Sequence, residues 1–305
     1  PSVLLGGLRE EQSREEDYLI DFVCHFSLNM SRAASTVKGL LLGIRWHHVT
    51  RGFPDPLEGK KRLAVLRRAL RKKSKVRRKW TVTATMLRWI AARMNPESSE
   101  DAVMWTCLML GWFFLLRLSE YATHDGQVAD STKAVRGIDI SFRKKGQVVA
   151  QGSQAEEMGL FNQTSKADIF NAGEFRNHWR SGDADLCVVE AVAKVQRMMP
   201  ERFGTGAEAE SLLCRYPDGS PVFRSQIAAW LERAALAEGY PVERFGSHSL
   251  RIGGATALYH MGVPIEVIKR LGRWASDCFH SYLWEGDASS KGLSAGMAAD
   301  TAALM

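Results

Sequence analysis

The sequence predicts a mostly α-helical fold with one small antiparallel sheet, divided into two domains. Apolar residues recur at helical spacing through most of the first ninety residues, and helical patterns return towards the end of the chain. Between them lie short segments of strand character that are bounded by turn residues. A small sheet among helices is an α+β arrangement. At 305 residues the chain is long enough to bury a sizeable core in two domains.

The N-terminal part is predicted to be entirely helical. Its predicted helices are Asp17 to Phe26, about Ala33 to Val49, Lys61 to Lys73 and Val82 to Arg93, with Ser31 and Thr81 as candidate N-caps. A polar stretch that contains Pro96 follows. We therefore expect a helical domain over residues 1–94, a linker at 95–101, a second domain over 102–288 and a tail at 289–305.

The second domain is predicted to begin with an apolar helix and to continue through a small sheet. The helix is Ala102 to Leu116, and the strands are Val135 to Phe142, Gln147 to Gln151 and Gly159 to Thr164. Helices resume at Leu186 to Met199 and at Ser225 to Ala237. Three further helices follow, and the last is a short one that contains Tyr282, with Ser276 or Asp277 as its cap.

Positive charge is concentrated in one stretch of the N-terminal domain. The formal net charge is +7, yet the region from Lys60 to Lys79 contains twelve basic residues and no acidic one. They are Lys60, Lys61, Arg62, Arg67, Arg68, Arg71, Lys72, Lys73, Lys75, Arg77, Arg78 and Lys79. The rest of the chain is slightly acidic, so this stretch indicates a surface for the phosphate backbone of a nucleic acid rather than a solvated helical face of mixed charge.

The cysteines and the hydropathy pattern define the compartment that we expect. The five cysteines are widely spread and contain no C-x-x-C pair, so neither a disulfide framework nor a zinc site is predicted. No apolar run reaches the length of a membrane span. We expect an intracellular, DNA-associated protein, in a nucleus or a nucleoid.

A histidine and an arginine near the C-terminus are the first candidates for chemistry. His248 and Arg251 lie three residues apart and share one face of a helix that Ser247 can cap. The positive N-terminal end of that helix favours an anion. The spacing alone is weak evidence, because the same pattern occurs at His48 and Arg51.

The order of residues around this pair resembles the tyrosine recombinase (phage integrase) family, especially its divergent members in mobile elements. That family has an Arg followed closely by an acidic residue, a Lys in a β-hairpin turn, an H-x-x-R pair, a His or Trp, and a Tyr nucleophile. The matching residues here are Arg117 with Glu120, Lys166, His248 with Arg251, Trp274 and Tyr282. The resemblance spans about Ala102 to Tyr282, and the basic N-terminal part looks like the family's core-binding domain.

The resemblance implies a site-specific DNA recombinase or integrase that forms a 3′-phosphotyrosyl intermediate at Tyr282. Arg117 and Arg251 would donate paired hydrogen bonds to the attacked phosphate. A phenol has a pKa near ~10 and needs a base, for which His248 is the candidate. Lys166 would protonate the leaving 5′ oxygen, and Trp274 would donate its indole N–H to phosphate. No metal or other cofactor is implied, and the sequence contains no H-E-x-x-H motif or P-loop.

Several assignments have alternatives. The alternative role of Arg117 is to cap the preceding helix. Lys144 and Lys145 are the alternatives to Lys166, because both also lie near a turn of the sheet. Trp274 lies eight residues before Tyr282, whereas the family more often shows nine, which would point to Arg273. Tyr259 is the rival nucleophile.

The resemblance also implies an assembly on double-stranded DNA. The two domains would form a C-shaped clamp, and the apolar tail from Leu293 to Met305 would dock onto a neighbouring subunit of a tetramer on two DNA sites. Packing of the tail on its own domain is the alternative. A type IB topoisomerase-like relaxing enzyme and a catalytically inactive DNA-binding regulator are the competing functions.

Overall fold

The chain forms two compact units, Pro1–Arg77 and Arg78–Met305. The structure, a computed structural model, describes residues 14–73, 78–130, 132–163, 173–274 and 277–284. Each unit has a hydrophobic core of its own.

In the described part of the first unit, helices are joined by turns and loops, without a strand. Its helices are α1 (residues 14–24), which continues as one π-helical turn at His25–Asn29, α2 (Ala34–Val49) and α3 (Lys61–Lys73). Leu63, Leu66 and Leu70 are spaced by three and four residues, so α3 turns one apolar stripe to the core. The remaining face of α3 carries the basic residues. The residue that caps α2 is Ala33, not Ser31.

The second unit is built around one buried helix. Its helices are α4 (Ala84–Ala91), α5 (Ser99–Phe113), α6 (Leu118–Tyr121), α7 (Val188–Met198), α8 (Ala207–Glu210), α9 (Arg224–Ala237), α10 (His248–His260) and α11 (Ile265–Gly272), and a 3₁₀ segment covers Asp277–Tyr282. Most of α5 is buried, because α7 and α10 pack against it. A methyl group on Gly254 would lie 2.0 Å from the carbonyl oxygen of Trp112, so this contact between α10 and α5 requires glycine.

The division between the units differs from the predicted linker at 95–101. α4 contributes Met86, Leu87 and Ile90 to the core of the second unit. The segment at 95–101 therefore connects two helices of one core, and Ser98 caps α5 by accepting a hydrogen bond from the backbone N–H of Asp101 at 3.1 Å. A polar stretch with a proline ends a helix as readily as it separates two domains, and the sequence does not distinguish these roles. The cap of α4 is Thr83 rather than Thr81.

One four-stranded antiparallel sheet lies among these helices. Its strands are β1 (Ile140–Lys144), β2 (Gln147–Val149), β3 (Glu157–Asn162) and β4 (Glu174–Trp179), in the order β2-β1-β3-β4. The mostly helical α+β fold is thereby confirmed. β4 was not predicted, because its inward-facing positions include the polar Arg176 and His178 rather than apolar residues. Among the described residues, no helix is long and apolar enough to cross a membrane.

Candidate active site

A buried carboxylate organises the segment that follows α5. Arg117 is the N-cap residue of α6, and Glu120 accepts hydrogen bonds from its backbone N–H at 2.7 Å and from its Nη1 at 3.2 Å. The same carboxylate accepts a hydrogen bond from Nη2 of Arg273, and both side chains of that pair are 4% exposed. Arg117 also donates to the backbone oxygen of Arg273 at 3.4 Å. Glu120 thus holds two guanidiniums that come from distant parts of the chain.

Arg251 lies in the first turn of α10 and is 1% exposed. Its Nη2 donates to the backbone oxygen of Gly272. The centre of its guanidinium lies 4.6 Å from the centroid of the Trp274 ring and 5.6 Å from that of Tyr282. Burial, with the nearby charge of Arg117 as the second cause, lowers the pKa of Arg251. An anion bound between Arg251 and Arg117 would reduce the repulsion between their two positive charges.

His248 lies one turn before Arg251 and faces Tyr282. The two ring centroids are 4.9 Å apart, at an interplanar angle of 64°. His248 is an exposed residue, yet desolvation by the surrounding protein and, second, the charge of Arg251 lower its pKa to about 4. His248 is therefore neutral at neutral pH and is able to accept a proton.

Hydrogen bonds from Thr256 and Arg78 hold the segment that carries Tyr282 in place. The hydroxyl of Thr256 donates to the backbone oxygen of Tyr282 at 3.1 Å and accepts from the backbone N–H of Trp284 at 3.3 Å. Arg78 donates to the backbone oxygen of Leu283 at 2.6 Å and lies 4.5 Å above the Trp284 ring. The ring contact of His248 is with Tyr282, whereas the rival Tyr259 stacks edge-on against its neighbour in the chain.

Arg273 and Trp274 both reach this site, with different contacts. Arg273 caps α11 in the left-handed conformation, at φ 53° and ψ 48°, and pairs with Glu120. Trp274 packs against Tyr282, with 4.7 Å between the ring centroids. The ambiguity in spacing therefore has a structural origin, because the turn after α11 directs two consecutive side chains into the same region.

Five donor nitrogens of this cluster are buried and lack a hydrogen-bond acceptor among the described residues. They are Nε and Nη1 of Arg251, Nε and Nη1 of Arg273, and Nε1 of Trp274. Leaving such donors unsatisfied costs about 1–3 kcal/mol each, and more where they are charged. A ligand with several acceptor oxygens and negative charge would satisfy them, which is the chemistry of a phosphate group.

Lys166 lies outside the described residues, in the segment that connects β3 to β4. Strand register bears on its alternatives. Lys144 and Lys145 lie at the β1–β2 turn, next to the start of β3, whereas the β3–β4 connection lies at the opposite end of the sheet. Near that opposite end, Arg176 of β4 contacts the end of α11. Lys144 and Lys145 therefore lie at the end of the sheet away from this contact, and Lys166 stays a prediction.

The basic stretch separates into two structural groups. Lys61, Arg62, Arg68, Arg71, Lys72 and Lys73 are exposed on α3 and Arg67 is half-buried, while Lys75 and Arg77 lie outside the described residues. Within the described part of the chain, no ion pair joins any of them to a carboxylate except Arg62 to Asp17, at 2.7 Å. Lys60 pairs with Glu15 at 2.8 Å, and its side chain is only 8% exposed.

Arg78 and Lys79, also predicted to contact DNA, are engaged within the second unit. Besides the contacts of Arg78 described above, Nζ of Lys79 donates to the backbone oxygens of Glu243 at 3.0 Å and of Phe245 at 2.5 Å. Arg78 and Lys79 already donate to protein oxygens. Fewer basic side chains of this stretch are therefore exposed for a contact with DNA than the sequence suggests. Sequence reasoning also missed Thr256 and Trp284, for which no motif gave a signal; only their backbone contacts reveal them.

Comparisons with known proteins bear on the fold. No protein-family model matches the chain, and no curated protein matches it. Among solved structures, a variant of the Tn1549 transposon integrase in complex with transposon right-end DNA matches with a TM-score of 0.51 and 11% identity, over 94% of this chain and 85% of that one. A lambda integrase dimer bound to a COC′ core site matches at 0.48 and 17%, over 89% and 82%. XerA recombinase matches at 0.46 and 11%, over 92% and 82%.

The chain therefore resembles the tyrosine recombinases and integrases in fold, over most of its length. At this level of identity the likeness concerns the fold, and the chemistry must be argued from the site itself.

Proposed function

We propose that this protein is a site-specific DNA recombinase that breaks and rejoins DNA strands through a 3′-phosphotyrosyl intermediate at Tyr282. The observation that carries the proposal is the convergence of Arg117, Arg251 and Trp274 with the His248–Tyr282 ring pair. Arg117 and Tyr282 are 165 positions apart in the sequence, so it is the fold that brings the members of the cluster together.

In the first step the phenol oxygen of Tyr282 attacks the phosphorus atom of the scissile phosphodiester. His248, which is neutral before DNA binds, takes the phenolic proton. The new bond joins phosphorus to the tyrosine oxygen, and the bond from phosphorus to the 5′ oxygen breaks. Lys166 gives that oxygen a proton, so the products are a 3′-phosphotyrosine and a free 5′ hydroxyl.

The buried donors stabilise the charge that develops on the phosphate. Arg251 and Trp274 offer N–H groups that have no acceptor within the described structure, and Arg117 is the more exposed partner on the other side. Fixed donors of this kind are already oriented before the reaction, so no energy is spent on reorganising them in the transition state. In the second step another 5′ hydroxyl attacks the phosphotyrosine and restores Tyr282.

Double-stranded DNA is the proposed substrate, and α3 is the proposed contact with its backbone. The exposed basic side chains of α3 release counterions when they meet phosphates, which supplies affinity that does not depend on base sequence. We further propose that four copies assemble on two DNA sites through the tail at 289–305, which lies outside the described residues. Deleting the chain after Ala288 should reduce pairing of two DNA sites while DNA binding remains; unchanged pairing would reject the exchange of tails.

Covalent trapping tests the chemistry. Duplexes with a randomised centre are first selected for binding by the wild-type chain, and selected sequences are then prepared with a nick next to each possible scissile phosphate. Since the short fragment with the 5′ hydroxyl diffuses away, the covalent complex accumulates and migrates slowly on a denaturing gel. We expect an adduct with wild type and with Tyr259→Phe, and none with Tyr282→Phe, although Tyr282→Phe still binds the duplex.

Each outcome separates the proposal from its competitors. An adduct that persists in Tyr282→Phe and is lost in Tyr259→Phe would assign the nucleophile to Tyr259. Relaxation of supercoiled plasmid without joined products would favour a type IB topoisomerase-like enzyme. Selective DNA binding with no adduct at any nick position would identify a catalytically inactive regulator.

A further inference from the structure

One buried arginine outside the proposed catalytic set connects the segments that carry that set. Arg176 lies on β4, is 6% exposed, and was not singled out by any sequence pattern. Its Nη1 donates to the backbone oxygen of Leu271 and, at 3.4 Å, to that of Phe114. Its Nη2 donates to the backbone oxygen of Arg270 at 3.2 Å and to Glu174 at 2.7 Å.

The accepting carbonyls stand immediately before the candidate catalytic residues. Phe114 is the C-cap residue of α5 and lies three residues before Arg117. Leu271 lies in the last turn of α11 and precedes Gly272, whose carbonyl holds Arg251. One guanidinium therefore fixes both chain segments that converge on the buried donors.

Electrostatics gives the same contact a second effect. The last carbonyls of α11 form the negative end of a helix dipole, close to the place where a phosphate is proposed to bind. The charge of Arg176 offsets that negative end, and its planar fork of donors satisfies several carbonyls at once, which a lysine cannot do.

We propose that Arg176 is a positioning residue for strand cleavage: it holds the ends of α5 and α11 so that Arg117, Arg251 and Trp274 face one phosphate. The proposal rests on the proposed function, since it assigns Arg176 to that reaction. Arg176 does not touch the phosphate itself, because its terminal nitrogens are occupied by protein oxygens.

Arg202 provides a matched control within the same unit. It is 3% exposed and donates to the backbone carbonyls of Leu213 at 3.3 Å, of Arg215, and of Tyr216 at 3.0 Å. Arg176 likewise donates to three backbone carbonyls, and in addition pairs with the more exposed Glu174. The carbonyls that accept from Arg202 lie outside the candidate site. Arg176→Met and Arg202→Met both leave buried carbonyls unsatisfied, so both should lower the melting temperature to a similar extent.

The experiment measures single-turnover cleavage of a nicked, selected duplex for both variants, at a temperature at which both are folded. We expect Arg176→Met to cleave about 100-fold more slowly than wild type, since small misplacements of reacting groups cost this much. Its affinity for DNA should stay within about twofold. Arg202→Met should cleave within about threefold of wild type. Methylguanidinium should partly restore cleavage in Arg176→Ala but not in Arg202→Ala.

A second readout does not require cleavage. Inorganic phosphate at increasing concentration should raise the melting temperature of wild type and Arg202→Met, and should raise that of Arg176→Met much less. If wild type forms no adduct but this difference appears, the proposed function fails and the positioning role stands. If both variants lose cleavage and phosphate stabilisation alike, or if Arg176→Met keeps both, the positioning role is overturned. Wild type that neither cleaves nor responds to phosphate would overturn both proposals.

Discussion

Two sets of positive side chains in this molecule differ in almost every physical respect. On α3 the basic residues stand next to each other in sequence, project into solvent, and with few exceptions pair with no carboxylate in the described part of the chain. In the second unit Arg251, Arg273 and Arg176 are buried and hold fixed carbonyls or Glu120. The first set offers charge that screens with salt, whereas the second offers oriented donors in a region that excludes water.

The two sets are therefore suited to different tasks. Exposed lysines and arginines can each be exchanged with modest effect, because affinity is shared among many phosphate contacts. A buried guanidinium is specified by its shape as well as by its charge, so even lysine is not an equivalent replacement.

Arg251→Lys keeps the positive charge of the buried side chain but removes the planar set of N–H donors of the guanidinium. We expect cleavage to fall by about 10²–10³-fold, as is typical when one preorganised donor is removed. Single-turnover assays on the nicked duplex measure the rate, and Arg68→Lys on α3 is the control, expected to cleave within about twofold of wild type. Cleavage by Arg251→Lys within threefold of wild type would remove the distinction between the two sets.

Glu120→Gln leaves the buried charge of Arg273 without its partner. Breaking a buried ion pair from one side costs about 3–5 kcal/mol, so the free energy of unfolding in denaturant should fall by that amount. Asp17→Asn breaks the exposed pair with Arg62 and should cost about 1 kcal/mol or less. Equal losses in the two variants would show that burial does not separate these pairs.

Replacing Arg68 by glutamine should weaken DNA binding in a manner that depends on salt. If Arg68 meets one phosphate, the slope of log affinity against log salt concentration becomes shallower by about 0.9. Lys79→Gln should leave the slope unchanged, because the Lys79 ammonium is bound to the carbonyls of Glu243 and Phe245. Titrations at several salt concentrations measure both slopes. A larger change for Lys79 than for Arg68 would contradict the division of the basic stretch.

The same comparison explains how much could be predicted from the sequence. The basic stretch was visible because its residues are adjacent, and the helices of both units because their apolar periodicity is local. Of the buried set, the sequence named Arg251, and Arg273 as an alternative, only because a family pattern orders them with the other candidate site residues, whose roles stay predictions. The supporting contacts of this set could not be predicted, because a donor such as Arg176 satisfies carbonyls ninety-four and ninety-five residues away, and nothing local marks it. The division at Arg77 differs from the predicted linker for a related reason, since only packing shows that α4 shares the core of α5.

The smallest predicted effect concerns histidines near the buried set. Protein burial lowers the pKa of both His248 and His178 to about 4, whereas an unfolded chain has a histidine pKa near ~6.5. Between these values the unfolded state binds more protons, so stability is full above about pH 6.5 and is lost as pH falls towards 4. His178 is partly buried and contacts the rings of Phe113 and Phe114, whereas His248 is exposed, so solvent screens the contribution of His248 to stability.

We therefore expect His178→Gln to flatten the loss of stability between pH 6.5 and 4 more than His248→Gln does. Denaturant unfolding of both variants and wild type across this range measures the two contributions. The opposite order would indicate that the charge of Arg251, the second cause at His248, outweighs solvent access there. In that event, in an Arg251→Met background, His178 should again contribute more than His248 to the loss of stability. The substitution removes the charge next to His248, whereas His178 keeps its aromatic neighbours and the nearby charge of Arg176.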